Sequence, residues 1–235
     1  MLIKTEGIIL KTTKFRETSL IVKAYTVSHG LLSFIINGVR TAKNTNKAVL
    51  FQPLNFLDLI VYYKENKGLL NLKEYKFNFL YQDIPFNIIK SSIAIFILEI
   101  LEHTLSEEEE NEELYDFIKN TLIKLDLGNN HIANFHLEFL IDFMFFKGIQ
   151  PQGKYSEKTP YFNIREGEFT NEVNSFGYLS GDIASNFSAL LYKEKLNLTK
   201  RSRKQLLETL IQYYSTHIDN FRKINSLDVL ESVLG

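Results

Sequence analysis

The amino-acid sequence predicts an α+β protein of two domains, in which a five-stranded β-barrel precedes an all-α domain that carries a small inserted module. Two observations support this. Short β-favouring segments fill the first eighty residues, and from about residue 84 the apolar residues recur with the period of helices. The 235 residues, 45% of them hydrophobic, suffice for two separate cores. The predicted domain bounds are 1–80 and 81–235.

Five segments of the first domain are rich in β-branched and aromatic residues. Polar turns separate them, and a long polar link, 38–52, follows the third. Five antiparallel strands in so short a span favour a closed barrel, because closure removes exposed edges. An OB-fold is such a five-stranded barrel, and OB-folds commonly bind single strands. The predicted strands are 3–12, 18–26, 31–37, 54–63 and 69–77.

The helical domain is predicted from apolar residues that recur three and four positions apart. Its first helix covers 93–101, with Ser91 or Ser92 as its N-cap. The third helix is apolar almost all round, including Phe145 and Phe146, so we expect it at the centre of the domain. It ends at Gly148. The further helices are 112–125, 132–147, 182–193, 203–222 and 227–234.

The inserted module is predicted at about 149–179, where Gly, Asn, Ser and Tyr are frequent. Two short strands, 161–164 and 168–170, can pair across a tight turn there. We expect a small hairpin within a loop region.

Signatures of enzymes and of metal sites are missing from the sequence. There is no cysteine, which excludes disulfides, thiolate nucleophiles and cysteine-based zinc sites. No phosphate loop, dinucleotide fingerprint, nucleophile elbow or HExxH motif occurs. The histidines are scattered, and His131 and His136 are badly spaced for one helical face. We therefore expect neither catalysis nor a cofactor, zinc included.

The apolar stretches predict no membrane span. The most apolar one, 88–101, contains Lys90 and Glu99 and is shorter than the ~18 residues that a spanning helix needs. No basic segment followed by an apolar one stands at the start, so no secretory signal is predicted. The expected location is the cytoplasm, where thiols are reduced.

Charge is distributed unevenly along the chain. Residues 1–80 contain 12 lysines or arginines against 5 acidic residues, a net charge of +7. Since the net charge of the whole chain is −1, residues 81–235 have a net charge of −8. A basic module attracts polyanions and points to nucleic acid. The alternative is that lysine-rich loops only keep the sheet soluble and protect its edges.

Basic residues concentrate in two loops of the predicted barrel, where they could follow a phosphate backbone. Aromatic residues on neighbouring strands could stack on bases at roughly 1 to 3 kcal/mol each, or they could fill the barrel instead. The candidate DNA contacts are Lys11, Lys14 and Arg16 around the first turn, and Arg40, Lys43 and Lys47 in the long link. The aromatic candidates are Tyr25, Phe34, Tyr62, Tyr63 and Tyr75.

A second basic patch, 200–204, opens a long predicted helix. Cations at a helix start oppose the dipole, at a cost of roughly a few tenths of a kcal/mol. The patch indicates an anionic partner, or it is a solvated cluster that keeps the helix soluble.

Short motifs stand in a characteristic order at both ends of the chain. They are TEGIIL at 5–10, ETSLIV at 17–22, GVR at 38–40, LFQPL at 50–54, GLLNLKE at 68–74, YYSTH at 213–217 and INSLDVL at 224–230. In order and spacing this set resembles the RecO family of bacterial DNA repair and recombination proteins. The resemblance extends over most of the chain.

The resemblance implies an N-terminal OB-fold and a helical C-terminal domain. It also implies binding of single- and double-stranded DNA, annealing of complementary strands, partnership with RecR, and help in loading RecA onto DNA coated by single-strand-binding protein. It places the protein in the bacterial cytoplasm, at the nucleoid. Arg40 and the basic loop after it correspond best to DNA contacts.

Two details of the resemblance concern the helical domain. Many relatives have a cysteine-based zinc module near 148–177, whereas here aromatic packing is expected to replace it. Capture of the acidic, apolar tail of single-strand-binding protein would need a hydrophobic groove with nearby cations, for which Lys119 and Lys124 are candidates. The aromatic residues of the module are Tyr155, Tyr161, Phe162, Phe169 and Phe176.

Two other functions stay open at this stage. The protein could be a non-enzymatic interaction scaffold whose barrel binds a peptide rather than DNA, which would make its DNA association weak and insensitive to salt. More distantly, it could be an enzyme that uses scattered Asp, Glu and His residues.

Overall fold

A computed structural model describes residues 1–39, 45–105, 110–128, 132–173 and 177–234. The chain divides into two compact units, Met1–Gly128 and Asn129–Gly235. The first unit contains β1 (Leu2–Phe15), β2 (Ser19–Thr26), β3 (Gly30–Ile36), α1 (Thr45–Leu50), β4 (Phe56–Tyr62), β5 (Leu70–Phe79), α2 (Ile88–Thr104) and α3 (Glu112–Leu127). The second contains α4 (Phe135–Lys147), β6 (Tyr161–Asn163), β7 (Glu168–Thr170), β8 (Tyr178–Leu179), α5 (Gly181–Leu191), α6 (Lys200–His217) and α7 (Leu227–Leu234).

The first five strands close into a barrel in the order β1-β2-β3-β5-β4. All neighbours are antiparallel except β3 and β5. The long strand β1 makes the closure possible, because its first half pairs with β4 and its second half with β2. Its register shifts between Ile9 and Lys11, as a β-bulge produces. The predicted five-stranded OB-fold barrel is confirmed.

Alternating side chains of the strands fill the barrel. Val22 and Ala24 of β2 point inward with Phe34 of β3, and all are fully buried. Phe51, which directly follows α1, completes this core and lies 4.8 Å from the Tyr75 ring between centroids. The sequence did not predict α1, which forms within the polar link and positions Phe51.

The outer face of the barrel is covered by helix α3. Tyr25 and Phe56 point away from the barrel interior, yet both are fully buried. Their rings lie 6.3 and 6.4 Å from that of Tyr115. The compact unit therefore continues past residue 80, where the sequence suggested a domain boundary, and includes α2 and α3.

A cluster of charged groups, in which Lys90 and Asp126 are buried, joins the link between β5 and α2 to the end of α3. The carboxylate of Asp126 accepts hydrogen bonds from the backbone N–H groups of Gln82, Asp83 and Ile84. The buried Lys90 ammonium lies 2.7 Å from the Asp83 carboxylate and donates to the Asp126 backbone carbonyl. Burial raises the pKa of the Asp126 carboxyl, but these backbone donors and Lys90 outweigh it and lower the pKa overall.

Helix α2 begins earlier than predicted. Its N-cap is Asn87, whose side chain accepts hydrogen bonds from the backbone N–H groups of Ile89 and Lys90. The prediction of Ser91 or Ser92 as the cap was wrong. Both serine hydroxyls instead donate to carbonyls of the preceding turn, a common use of serine inside a helix.

In the second unit, α4 packs most of its surface into the core. Phe139 and Phe143 are buried and stack on each other with centroids 5.3 Å apart. Gly148 ends the helix in the left-handed conformation with φ of 65°, as predicted. The helix is not buried on all sides, however, because Phe145 is 60% exposed.

Other helix bounds differ from the prediction. The third predicted helix opens with a 3₁₀ turn, Ile132–Asn134, before α4. Helix α6 begins at Lys200, where the Thr199 side chain caps it, and ends at His217 rather than at residue 222. Residues 218–222 contain apolar side chains that continue the helical spacing without continuing the helix.

The inserted module contains the predicted hairpin. β6 pairs with β7 in register, with Phe162 opposite Phe169, and β8, which was not predicted, adds a third strand beside β6. Phe162 and Phe169 are buried against the ring of Phe187, at 4.7 and 6.4 Å between centroids. Tyr155 and Tyr161 are half-buried, while Phe176 lies outside the described residues.

Candidate nucleic-acid interface and partner groove

Three basic side chains predicted to contact DNA stand at the end of the barrel where β1 turns into β2. Lys11 and Lys14 are exposed on β1, and Arg16 adopts a positive φ of 51° in the turn. The Arg16 guanidinium lies 5.1 Å from the centre of the Phe15 ring. Neither Lys11 nor Lys14 forms an ion pair within the described part of the chain. Their charge is therefore available to an anionic ligand.

The link that contains the other candidates starts beside this turn. Leu20 of β2 pairs with Ile36, the last residue of β3. The Ser19 hydroxyl donates to the side-chain oxygen of Asn37 at 2.9 Å. The β1–β2 turn and the start of the long link are thus neighbours. Two predicted contacts in this link, Arg40 and Lys43, lie outside the described residues.

Lys47 of α1 lines a different feature, an open groove of about 1120 Å³ in the first unit. The groove also contains Lys4, Lys73 and Lys76, which the sequence analysis missed, and the half-buried ring of Tyr75. These residues are brought together by the register of β1, β4 and β5, which the chain order does not reveal.

Carboxylates of the barrel and of α3 compensate most of the positive charge in this groove. Lys76 lies 3.3 Å from Asp58, and Lys73 lies 3.6 Å from Glu74. A ligand that binds these ammonium groups must displace the carboxylates first. The groove is therefore a weaker anion site than the cations of the β1–β2 turn.

The two lysines predicted to bind a partner lie on α3. Lys119 lines the same groove and forms an ion pair with Glu6 at 2.5 Å. Lys124 is exposed in the last turn of the helix. Their role in partner binding stays a prediction.

The aromatic candidates divide between core and surface. Tyr25 and Phe34 are fully buried and cannot stack on bases. Tyr62 is 51% exposed, and the Tyr63 ring packs against His29 with centroids 4.4 Å apart. Among the five, Tyr62 is exposed, and Tyr63 and Tyr75 are half-buried.

An apolar groove with a basic rim lies in the second unit between α4, α6 and α7. Its volume is about 290 Å³, and Leu207, Leu230 and Leu234 form its walls. The basic patch singled out in the sequence stands along its edge. The rim residues are Lys200, Arg201, Arg203 and Lys204. The sequence predicts the cations but not the groove, because its leucines come from two helices whose packing against each other the sequence pattern does not specify.

The rim cations differ in their partners. The Lys204 ammonium lies 2.7 Å from the Glu231 carboxylate, and this hydrogen bond raises the pKa of Lys204. Arg203 donates to the Asn134 side chain at 3.0 Å and to the Leu234 backbone carbonyl at 3.4 Å. Neither Lys200 nor Arg201 has an ion pair among the described residues.

His136 lies beneath the rim and is almost completely buried. Burial, and secondly the charge of Arg203, lower the pKa of His136 to about 3. The imidazole is therefore neutral at physiological pH, and the rim of the groove carries the positive charge.

The described residues contain no group of three or more His, Cys, Asp or Glu side chains arranged to hold a metal ion. His217 contacts the Ile164 carbonyl at 2.8 Å and the Tyr213 ring, as a structural histidine does. No helix within these ranges is long and apolar enough to cross a membrane.

Comparisons with known proteins cover the whole chain. The family model for the N-terminal part of recombination protein O matches residues 1–80, and the model for its C-terminal part matches residues 85–160. DNA repair protein RecO of Flavobacterium psychrophilum is 37% identical, with 100% of both chains covered. The proteins of the same name from Christiangramia forsetii and Bacteroides fragilis are each 34% identical and cover 100% and 99% of both chains, respectively.

Proposed function

Since the chain belongs to the RecO family of DNA repair proteins, we propose that it is a recombination mediator that acts by binding. Its barrel binds single- and double-stranded DNA and favours annealing of complementary strands. With RecR, the protein helps to load RecA onto DNA covered by single-strand-binding protein. It does so at the bacterial nucleoid, in the cytoplasm, without catalysis and without a cofactor.

The DNA-binding proposal rests mainly on the exposure of Lys11 and Lys14. Both ammonium groups are exposed at one end of the barrel without a carboxylate partner among the described residues. A phosphate that binds there displaces counterions and breaks no internal ion pair. Arg16 adds a third cation in the same turn, and Arg40 and Lys43 belong to the basic link that starts beside it.

The groove along β1, β4 and β5 supplies a second, weaker stretch of the same interface. Lys47 is exposed at its edge, and the Tyr75 ring offers a surface on which a base can stack. Single-stranded DNA bound along both features would combine backbone contacts at the turn with base stacking in the groove. Such a contact depends little on base sequence.

The apolar groove of the second unit is proposed to bind the tail of single-strand-binding protein. Its leucine walls suit apolar side chains, and its four rim cations suit the neighbouring carboxylates. This groove is a second candidate for the partner site, in addition to the region of Lys119 and Lys124. Shape and charge complementarity support this assignment.

The test of DNA binding is fluorescence anisotropy of the full-length protein with labelled oligonucleotides over a salt series. We expect the double variant Lys11→Ala/Lys14→Ala to weaken binding to all base sequences alike. The slope of log affinity against log salt should fall by about 1 to 1.5 for single strands, because each phosphate contact contributes about 0.7.

The matched control is Lys73→Ala/Lys76→Ala, which removes two barrel lysines that carboxylates already compensate. Its slope should change less than that of the turn variant. An equal or larger change would move the footprint from the turn to the groove. Binding by the wild type that does not depend on salt would favour the alternative scaffold, whose barrel binds a peptide.

A further inference from the structure

Helix α7 presents an acidic and apolar surface to the groove that it helps to form. From this arrangement we infer that α7 competes with the partner segment for the rim cations and thereby regulates access to the groove. The inference rests on the proposed capture of an acidic, apolar segment at this site. It adds a regulatory element that lies within the chain itself.

The contacts of α7 engage two of the four rim cations. Glu231 forms an ion pair with Lys204 at 2.7 Å, and the Leu234 carbonyl accepts a hydrogen bond from Arg203. Lys200 and Arg201, in contrast, form no ion pair in the described part of the chain. An incoming acidic segment can therefore bind first to the two open cations.

The composition of α7 matches the ligand that the groove suits. Its eight residues include Asp228 and Glu231 and no basic residue. Leu227, Leu230 and Leu234 recur at three and four positions, so that they share one face of the helix. A partner segment of the same chemistry would bind the same rim cations and could pack an apolar side chain on Leu207 of α6.

The helix is held in place by few interactions. Leu230 is its one buried residue, whereas Asp228 and Val229 are exposed. Helices of this length are marginal without tertiary contacts. The Lys204 and Glu231 side chains are 54% and 31% exposed, so their ion pair contributes little. The contacts of Glu231 and Leu234 with the rim can therefore be exchanged for contacts with an acidic partner segment.

The competition is tested with the full-length protein and a fluorescein-labelled peptide of three aspartates, two leucines and a terminal phenylalanine. Glu231→Gln removes the internal competitor for Lys204 and keeps the size of the side chain. We expect the peptide to bind about twofold to fivefold more tightly, the range that an exposed ion pair corresponds to. Glu166→Gln, in the exposed β6–β7 turn, makes the same charge change as a control.

A second measurement follows the helix directly. Because the chain has no cysteine, Val229→Cys gives a single labelling site on exposed α7, and Gln205→Cys gives one on exposed α6. A spin label at position 229 should become more mobile when the peptide is added. The label at 205 should not change.

The outcomes separate the inference from the proposed function. Equal peptide affinity of wild type and Glu231→Gln, with an unchanged label at 229, would overturn the competition and leave peptide capture intact. No peptide binding by either protein would overturn the capture and the competition together. Tighter binding by both Glu231→Gln and Glu166→Gln would show a general charge effect and would also overturn the competition.

Discussion

Single residues in this protein take their charge state from what surrounds them. The ammonium group of Lys90, buried inside the first unit, lies 2.7 Å from the Asp83 carboxylate. His136 remains neutral, since burial and the nearby Arg203 disfavour its protonated form. The surroundings of His136 thus decide its protonation state.

The neutral state of His136 predicts a loss of stability in acid. Its pKa is about 3 in the folded protein against 6.5 for an ordinary histidine. The stability is therefore complete above pH 6.5 and decreases as the pH falls from 6.5 towards 3, because the unfolded chain binds the proton first. At pH 5 the free energy of unfolding should be lower by about 2 kcal/mol from this group alone.

Urea unfolding of wild type and His136→Gln at pH 7.5 and pH 5 measures this contribution. The variant should lose about 2 kcal/mol less than the wild type over that interval. His29→Gln, in the β2–β3 turn, controls for the removal of one histidine. An equal pH dependence of His136→Gln and wild type would contradict the prediction.

At the scale of elements, the inserted module depends on a glycine at its turn. Gly167 joins β6 to β7 with φ of 72°, and a Cβ atom there would lie 2.6 Å from the Tyr213 hydroxyl. That hydroxyl donates to the Ile149 carbonyl at the start of the module. A side chain at 167 would therefore disturb the turn and its attachment to α6.

Gly167→Ala should destabilise the protein by about 2 to 3 kcal/mol, from the strained φ and the clash together. Gly148→Ala is the matched variant, because Gly148 has a similar φ of 65° but open space around it. Thermal or urea unfolding of the two variants isolates the clash as their difference. Equal losses would show that only the backbone conformation matters.

The elements that were predicted well are those with strong local patterns. The five strands and the hairpin of β6 and β7 follow from alternation and turn residues within each segment. Helix α1 was not predicted because its six residues lie in a polar link. The helix places Phe51, the next residue, in the barrel core, and this contact is not evident from the sequence pattern. Strand β8 has only two residues, too few for a sequence pattern, and it forms by pairing with the edge of β6.

The candidate site was predictable to a smaller extent. Lys11, Lys14 and Arg16 are close in sequence, so a single loop reveals them. Lys4 and Lys76 meet in one groove only through the strand register, which side-chain patterns do not specify between distant strands. The leucine groove likewise requires the packing of three helices.

For the whole molecule, two candidate sites of different kind lie in different compact units. Lys11 and Lys14 of the barrel lie in the first compact unit, and the apolar groove lies in the second. Sites without shared residues contribute independently to binding unless a conformational change couples them.

We therefore expect each site to be altered without the other. Lys11→Ala/Lys14→Ala should weaken DNA binding and leave affinity for the acidic peptide within about twofold of wild type. Lys200→Ala/Arg201→Ala should weaken peptide binding and change DNA binding less. Anisotropy titrations of both variants with both ligands measure this. A large loss of both affinities in either variant would indicate one shared site or a coupled change.

The closure of the barrel also determines when strand β1 can complete its pairing during synthesis on the ribosome. β1 pairs with β4 about sixty positions later, and β5 must stand between β3 and β4 before the cylinder is complete. At about 5 to 20 residues per second, synthesis of the eighty residues concerned takes roughly 4 to 16 s. During that interval the nascent first strand has an unpaired edge. Lys4 and Glu6, charged residues within it, make this waiting strand a poor template for pairing with another chain.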